Sequence, residues 1–206
     1  MSLNDISIKY KLDKNIASGC HNYIPGYTRL FECRRYNAKT VLEIGIGSVE
    51  NGQMSGVVNS GYKTGNSLKC WSEYFSNAFI YGIDIYKHDE LNKDRIKTFQ
   101  ADQSNGDDLE KVMKEISETL DVIIDDGSHI GEHQVFSFLF LNKYLSKDGI
   151  YVIEDIQPQY INGFLDLSIF PVNTIEFIKL NFNIEYIDTR KDFGRLDDFM
   201  MCFTRK

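Results

Sequence analysis

The alternation of strand-like and helix-like segments is the feature that most limits the folds open to this chain. Short runs that are almost wholly apolar are separated by segments with helical periodicity. Continuous apolar strands need cover on both faces, so the alternation predicts a doubly wound, mainly parallel α/β sheet between two layers of helices. Five strands are predicted, in the segments KTVLEIGIG, AFIYGIDIY, RIKTFQAD, LDVIIDD and GIYVIED.

The C-terminal segments complete this sheet. NIEYIDT and DDFMMCFTR flank the polar stretch RKDFGR, and this pattern is typical of an antiparallel hairpin. The prediction is therefore a seven-stranded, Rossmann-like sheet with a final antiparallel strand. NSLKCWSEYF, SNGDDLEKVMKEISETL and HQVFSFLFLNKYL are predicted helices, the first with Asn66 or Ser67 as its N-cap.

Composition excludes several classes of partner. The net charge is −7 and there is no long basic run, so a nucleic-acid partner is not expected. No apolar stretch approaches the length of a membrane span, and the first residues lack the apolar core of a signal peptide. Four scattered cysteines indicate reduced thiols. We therefore expect a cytoplasmic protein without membrane contact.

Each predicted strand ends in at least one carboxylate. In doubly wound sheets ligands bind beyond the carboxyl ends of the strands, so these side chains predict a ligand site there. Gly45 and Gly47 end the first strand and would allow close approach of a ligand, but the third glycine of the dinucleotide fingerprint is missing. So many carboxylates at the strand ends favour a positively charged cofactor. The carboxylates are Glu43, Asp84, Asp102, Asp125, Asp126, Glu154 and Asp155.

The densest cluster is DDGSH, Asp125 to His129. Burying such groups without partners costs several kcal/mol, roughly 2–7 for each polar group, so a metal, a bound cation or a reaction is expected there. Neighbouring strand residues point to opposite faces, which predicts separate roles for Asp125 and Asp126. HIGEH, from His129 to His133, also matches an inverted zinc-protease motif. A zinc hydrolase is the weaker alternative, because Gly131 and the start of a helix fall inside the motif.

A family resemblance follows from the motifs VLEIGIG, IYGIDIY, ADQS, IIDDGSH and GIYVIEDIQ. Together they resemble the S-adenosylmethionine-dependent methyltransferases of the class I fold. More narrowly, they are similar to the metal-dependent sugar O-methyltransferases of the mycinamicin and macrocin type. HNYIPGYTRLFE is similar to a segment that closes over the cofactor. The resemblance implies one domain over residues 1–206, with a helical covering segment (1–37) and a Rossmann-like core (38–206).

The resemblance also implies the roles of individual residues toward S-adenosylmethionine. Glu43, Gly45 and Gly47 would line the methionine and ribose end, and Asp84 the ribose hydroxyls. Asp102 and Gln103 would contact the adenine, and Ser67 the cofactor's carboxylate. Asp125 would face the sulfonium or amino group, and Tyr23 would contact the cofactor from the covering segment. The loop 48–65 is longer than the resemblance predicts, so its role stays open.

The same resemblance implies a magnesium site and a general base. Asp126, Glu154 and Asp155 would bind Mg²⁺, and His129 would take the proton of the acceptor hydroxyl. The implied function is O-methylation of a sugar, small polyol or related natural product, by a chain that can associate as a homo-oligomer. A second hypothesis is a module that binds the cofactor without turnover.

Overall fold

The computed structural model describes residues 1–52 and 61–206, and the predicted seven-stranded sheet is present. Its strand order is β3-β2-β1-β4-β5-β7-β6, and β7 runs antiparallel to both of its neighbours while β1 to β5 pair in parallel. The strands are β1 (Thr40–Ile44), β2 (Phe79–Asp84), β3 (Ile96–Gln100), β4 (Leu120–Asp125), β5 (Leu145–Ile153), β6 (Phe182–Asp188) and β7 (Phe199–Arg205).

The register of the parallel strands brings their carboxyl ends to one edge. Ile44 of β1 lies opposite both Ile83 of β2 and Asp125 of β4, and Asp125 lies opposite Ile153 of β5. The acidic residues that follow these positions therefore lie side by side in space, although they are far apart in sequence. This arrangement is the one that the doubly wound prediction required.

Helices cover both faces of the sheet. They are α1 (Leu3–Lys9), α2 (Ile24–Phe31), α3 (Asn66–Tyr74), α4 (Gly106–Ile116), α5 (Gly131–Leu141), α6 (Pro158–Leu165), α7 (Val172–Asn181) and α8 (Arg190–Phe193). On one face α4 to α7 pack a hydrophobic core against the strands, and on the other α1 to α3 pack a second core. Within the described ranges no helix is long and apolar enough to cross a bilayer.

The predicted N-cap of α3 is wrong. Gly65 occupies the N-cap position at φ +73°, and no side chain caps the helix there. The Ser67 hydroxyl instead donates a hydrogen bond to the buried carboxylate of Glu43, at 2.5 Å. A buried carboxylate without donors costs more than an uncapped helix end, which explains why the serine takes this partner.

Candidate active site

A cavity of about 570 Å³ opens at the carboxyl edge of the sheet. Its volume falls in the range of sites for small molecules and cofactors. The predicted site residues that line it are Gly45, Gly47, Ser67, Asp84, Asp102, Gln103, Asp126, His129 and Asp155. Four others, Tyr23, Glu43, Asp125 and Glu154, are buried beside the cavity and are absent from its lining. The structure thus brings most of the predicted residues to one place.

Asp84 and Asp102 lie at the strand ends on one side of the cavity. The carboxylate of Asp84 accepts hydrogen bonds from the backbone N–H groups of Ile46, at 3.0 Å, and Tyr86, at 2.9 Å. Asp102 accepts from the backbone and hydroxyl of Ser104, and these bonds lower the pKa of its carboxyl. These hydrogen bonds hold both side chains in fixed orientations, and their carboxylate oxygens can accept from hydroxyl or amine donors.

Gly45 joins the ends of β1 and β4. Its φ is +87°, and a Cβ atom at this position would lie 2.0 Å from the carbonyl oxygen of Asp126. The absence of a side chain is therefore required by the packing of two backbones, in addition to any approach of a ligand. The glycine signal in the sequence has a structural cause that a motif alone does not reveal.

Asp125 supports the cavity from behind. Its buried carboxylate accepts hydrogen bonds from Ser137 at 2.5 Å, from Tyr151 at 3.1 Å and from the amide of Gln103 at 3.1 Å. Burial raises the pKa of Asp125, and these hydrogen bonds oppose the change. Gln103 in turn lines the cavity and accepts from the N–H of Ser128 at 2.7 Å. Direct contact of Asp125 with a cofactor stays a prediction; in the structure it positions Gln103.

Like Asp125, Glu43 of β1 lies behind the cavity wall. Its carboxylate is fully buried and accepts hydrogen bonds from Ser67 and from the indole N–H of Trp71, the latter at 3.0 Å. Burial raises the pKa of Glu43 to about 7, while Lys14 and the two hydrogen bonds act in the opposite direction. The role of Glu43 toward a cofactor stays a prediction, and Ser67 is the member of this pair that reaches the cavity.

The opposite side of the cavity holds Asp126, His129 and Asp155. One ligand atom from each lies within 4.8 Å of the others, and Nε2 of His129 is 4.0 Å from Oδ1 of Asp126. His129 has φ +55° and Asp155 has φ +49°, a left-handed conformation that is costly for residues other than glycine. As predicted, the side chains of Asp125 and Asp126 turn to opposite sides of β4. Asp125 contacts Ser137, and Asp126 contacts Lys14.

Lys14 is the most important site residue that the sequence did not reveal. Its side chain is 1% exposed, and its ammonium donates hydrogen bonds to Asp126 and to Oε2 of Glu154, the latter at 2.9 Å. Burial opposes the charge, but the nearby Asp126 and Glu154 carboxylates raise the pKa of Lys14 well above its ordinary value. Tyr27 donates to the other oxygen of Glu154. In KLDKN this lysine has no feature that separates it from a surface residue.

A second imidazole, His21, lines the same cavity. Its Nδ1 lies 2.8 Å from Oδ1 of buried Asp198 and 3.6 Å from Oδ1 of Asp155. Tyr23 donates a 2.5 Å hydrogen bond to Asp155, and its ring stacks on that of His21. The sequence pattern identified Asp198 only as the start of the last strand, because nothing local in DDFMM shows that it meets residue 21.

Two groups of side chains in the described part of the chain could hold a metal ion: His21, Asp155 and Asp198, and Asp126, His129 and Asp155. The second group fits Mg²⁺ better, because Asp126 and Asp155 provide carboxylate oxygens at the cavity wall, where other oxygen ligands can enter. Glu154 as a third ligand stays a prediction, since Lys14 and Tyr27 contact its two oxygens. Neither group pairs His129 with His133, so the described residues do not support the zinc motif.

The strand order, the antiparallel β7 and the acidic strand ends define a class I methyltransferase fold. The fold is similar to that of MycE, a methyltransferase from the mycinamycin biosynthetic pathway, solved in complex with Mg and SAH (S-adenosylhomocysteine). The TM-score is 0.75 at 25% identity, over 100% of this chain and 55% of that one. The predicted doubly wound fold is confirmed.

Similarity in sequence narrows the class further. The chain is 36% identical over 146 residues to the 8-demethyl-8-alpha-L-rhamnosyl tetracenomycin-C 2'-O-methyltransferase of Streptomyces olivaceus, covering 71% of this chain and 36% of that protein. It is 33% identical over 162 residues to the mycinamicin VI 2''-O-methyltransferase of Micromonospora griseorubida, covering 79% and 38%. No family profile matches. The resemblance to sugar O-methyltransferases is confirmed, and the chain spans less than two fifths of the length of these relatives.

Proposed function

We propose that this chain is an S-adenosylmethionine-dependent O-methyltransferase that acts on a hydroxyl of a sugar-bearing small molecule. The observation that carries the proposal is the division of one cavity between two sets of side chains. Asp84, Asp102 and Gln103 end or follow β2 and β3, and Asp126, His129 and Asp155 follow β4 and β5, which lie on the other side of β1 in the strand order. Two relatives are named as O-methyltransferases of rhamnosyl tetracenomycin and of mycinamicin. Their names support the proposal that the acceptor carries a sugar.

The first set would bind the cofactor. As the resemblance implies, Asp84 would accept hydrogen bonds from ribose hydroxyls, and Asp102 and Gln103 from the adenine amine. S-adenosylmethionine carries a positively charged sulfonium that it loses on methyl transfer. The carboxylates that line the cavity therefore favour binding of the charged reactant over its uncharged product. The net charge of −7 agrees with a positively charged cofactor.

The second set would hold and deprotonate the acceptor. His129 lines the cavity and is partly exposed, so its imidazole can contact a bound acceptor hydroxyl and take its proton. Asp126 and Asp155 would hold Mg²⁺, an ion that the MycE complex contains, with Glu154 as the predicted third ligand. Bound Mg²⁺ would supply Lewis acidity that lowers the pKa of the acceptor hydroxyl. Asp126, close to His129, would also stabilise the imidazolium that proton transfer creates.

Calorimetry with S-adenosylmethionine and SAH tests the cofactor half of the proposal. We expect binding of both, and Asp84→Ala should weaken it because this carboxylate lines the cavity at the predicted ribose position. A mass-spectrometric assay with rhamnosylated and deoxysugar-bearing acceptors, with and without Mg²⁺, then tests transfer. Absence of binding of either cofactor form would exclude the proposal. Binding without transfer to any acceptor would favour the module without turnover.

The His129→Gln variant tests the proposed base. We expect about 10²–10⁴-fold lower kcat, with SAH affinity close to that of the wild type, because only proton transfer is lost. His133→Gln is the matched control, since His133 also lines the cavity and its Nδ1 contacts the Ser128 hydroxyl. Equal kcat values for His129→Gln and the wild type would show that another group takes the proton.

A further inference from the structure

Two of the three carboxylates that the sequence predicted as metal ligands share an ammonium group. Lys14 donates hydrogen bonds to Oδ2 of Asp126 and to Oε2 of Glu154. Tyr27 donates to Oε1 of Glu154, so both oxygens of this buried carboxylate have donors from the N-terminal segment. A cation that bound between Asp126 and Glu154 would need the place that the ammonium fills.

The charges explain why a cation of some kind is needed there. Asp126, Glu154 and Asp155 converge at two adjacent strand ends, and Glu154 is 1% exposed. Carboxylates in such a position are strongly destabilising without a counter-charge. Lys14 supplies one positive charge from within the chain, so the buried carboxylate of Glu154 has a counter-charge when no divalent ion is bound.

We propose that the Lys14 ammonium competes with the divalent cation for Asp126 and Glu154, and that it thereby keeps the metal affinity of this site low. The inference rests on the proposed function only in taking these carboxylates as the metal site. Two positive charges within a few ångströms in a buried place repel each other, so each weakens the binding of the other. A divalent ion must displace Lys14 or bind without Glu154, at the cavity wall where Asp126 and Asp155 lie.

This role makes Lys14 a positioning residue and not a catalytic one. Its side chain is buried and absent from the cavity lining, while Asp126 and Asp155 belong to that lining. Further oxygen ligands raise the affinity of a weakly held metal the most. The hydroxyl groups of an acceptor sugar can provide such ligands. Metal occupancy would then follow the presence of the acceptor.

Binding of Mn²⁺ to the 206-residue chain, measured by electron paramagnetic resonance without cofactor or acceptor, tests the competition. We expect Lys14→Met to bind Mn²⁺ at least about tenfold more tightly than the wild type, because a repelling charge is removed. Lys9→Met is the matched control: it lies in the same segment and loses an exposed ion pair with Glu73. It should leave Mn²⁺ affinity unchanged. Equal or weaker Mn²⁺ binding by folded Lys14→Met would overturn the proposal.

Loss of the counter-charge can also impair folding, so Lys14→Gln and a thermal readout accompany the test. We expect Mn²⁺ to raise the Tm of either Lys14 variant by more than it raises that of the wild type, or to restore a fold lost in its absence. If both variants stay unfolded at every Mn²⁺ concentration, no metal replaces the ammonium and the proposal is overturned.

SAH calorimetry on the same samples separates this inference from the proposed function. Failure of SAH to bind the wild type would refute the methyltransferase proposal and leave the metal competition intact. Normal SAH binding, with no gain in Mn²⁺ affinity for Lys14→Met, would refute only the competition.

Discussion

One buried carboxylate, that of Glu43, links the stability of this protein to pH. Glu43 is fully buried, and burial raises its pKa to about 7 from an ordinary value of 4.5. The folded state therefore holds this proton more tightly than the unfolded state. The resulting stabilisation is fully present below about pH 4.5 and is lost as the pH rises through 7.

The Glu43→Gln variant tests this pH dependence. Its amide keeps an oxygen that can accept from Ser67 and Trp71 but never becomes charged. Relative to the wild type, the free energy of unfolding of the variant should rise by up to about 3 kcal/mol between pH 5 and pH 8. Urea denaturation at both pH values measures it, with the exposed Glu115→Gln as the control. A difference between variant and wild type that is the same at both pH values would contradict the raised pKa.

At the scale of elements, the junction between β1 and β4 determines the shape of the site. Gly45→Ala would place a Cβ atom 2.0 Å from the carbonyl oxygen of Asp126, so two strand ends would have to separate. We expect a loss of about 3 kcal/mol or more in the free energy of unfolding. The altered position of Asp126 should also weaken Mn²⁺ binding.

Gly19→Ala is a matched control for that substitution. Gly19 also has a positive φ, +76°, but no atom lies within 4 Å of its added Cβ. It should lose only about 1–2 kcal/mol, the cost of the backbone conformation itself. Equal losses in the two variants, measured by urea denaturation, would show that the contact with Asp126 has no energetic effect.

At the scale of the whole molecule, the N-terminal segment contributes many of the buried side chains of the core on one face of the sheet. Phe31 of α2 is fully buried and packs on Tyr27, Trp71 and Phe75, with ring centroids 4.8 to 5.9 Å apart. The segment predicted to cover a cofactor is therefore also part of the hydrophobic interior. Its division from the core at residue 37 stays a prediction, although the packing links the two parts.

Phe31→Ala measures this link. We expect the variant to lose about 3–5 kcal/mol, as for other fully buried phenylalanines, and to melt in one cooperative step at a lower temperature. Tyr36→Ala, at a side chain 60% exposed in the same segment, should change stability by less than about 0.5 kcal/mol. A separate early transition in Phe31→Ala, with the main transition unchanged, would show that the segment unfolds on its own.

The sequence by itself determined the strands, their mainly parallel arrangement and the carboxylates at their ends. Apolar runs and strand-end acids are local patterns, and parallel pairing brings such ends to one edge of the sheet. It did not reveal Lys14 or the pairing of His21 with Asp198, nor that Asp125 and Glu43 lie behind the cavity wall. These depend on contacts between residues up to 177 positions apart and on which face of a strand end turns to the interior. Only the tertiary structure decides such contacts, because a lone lysine or aspartate has the same local pattern at the surface and in a buried ion pair.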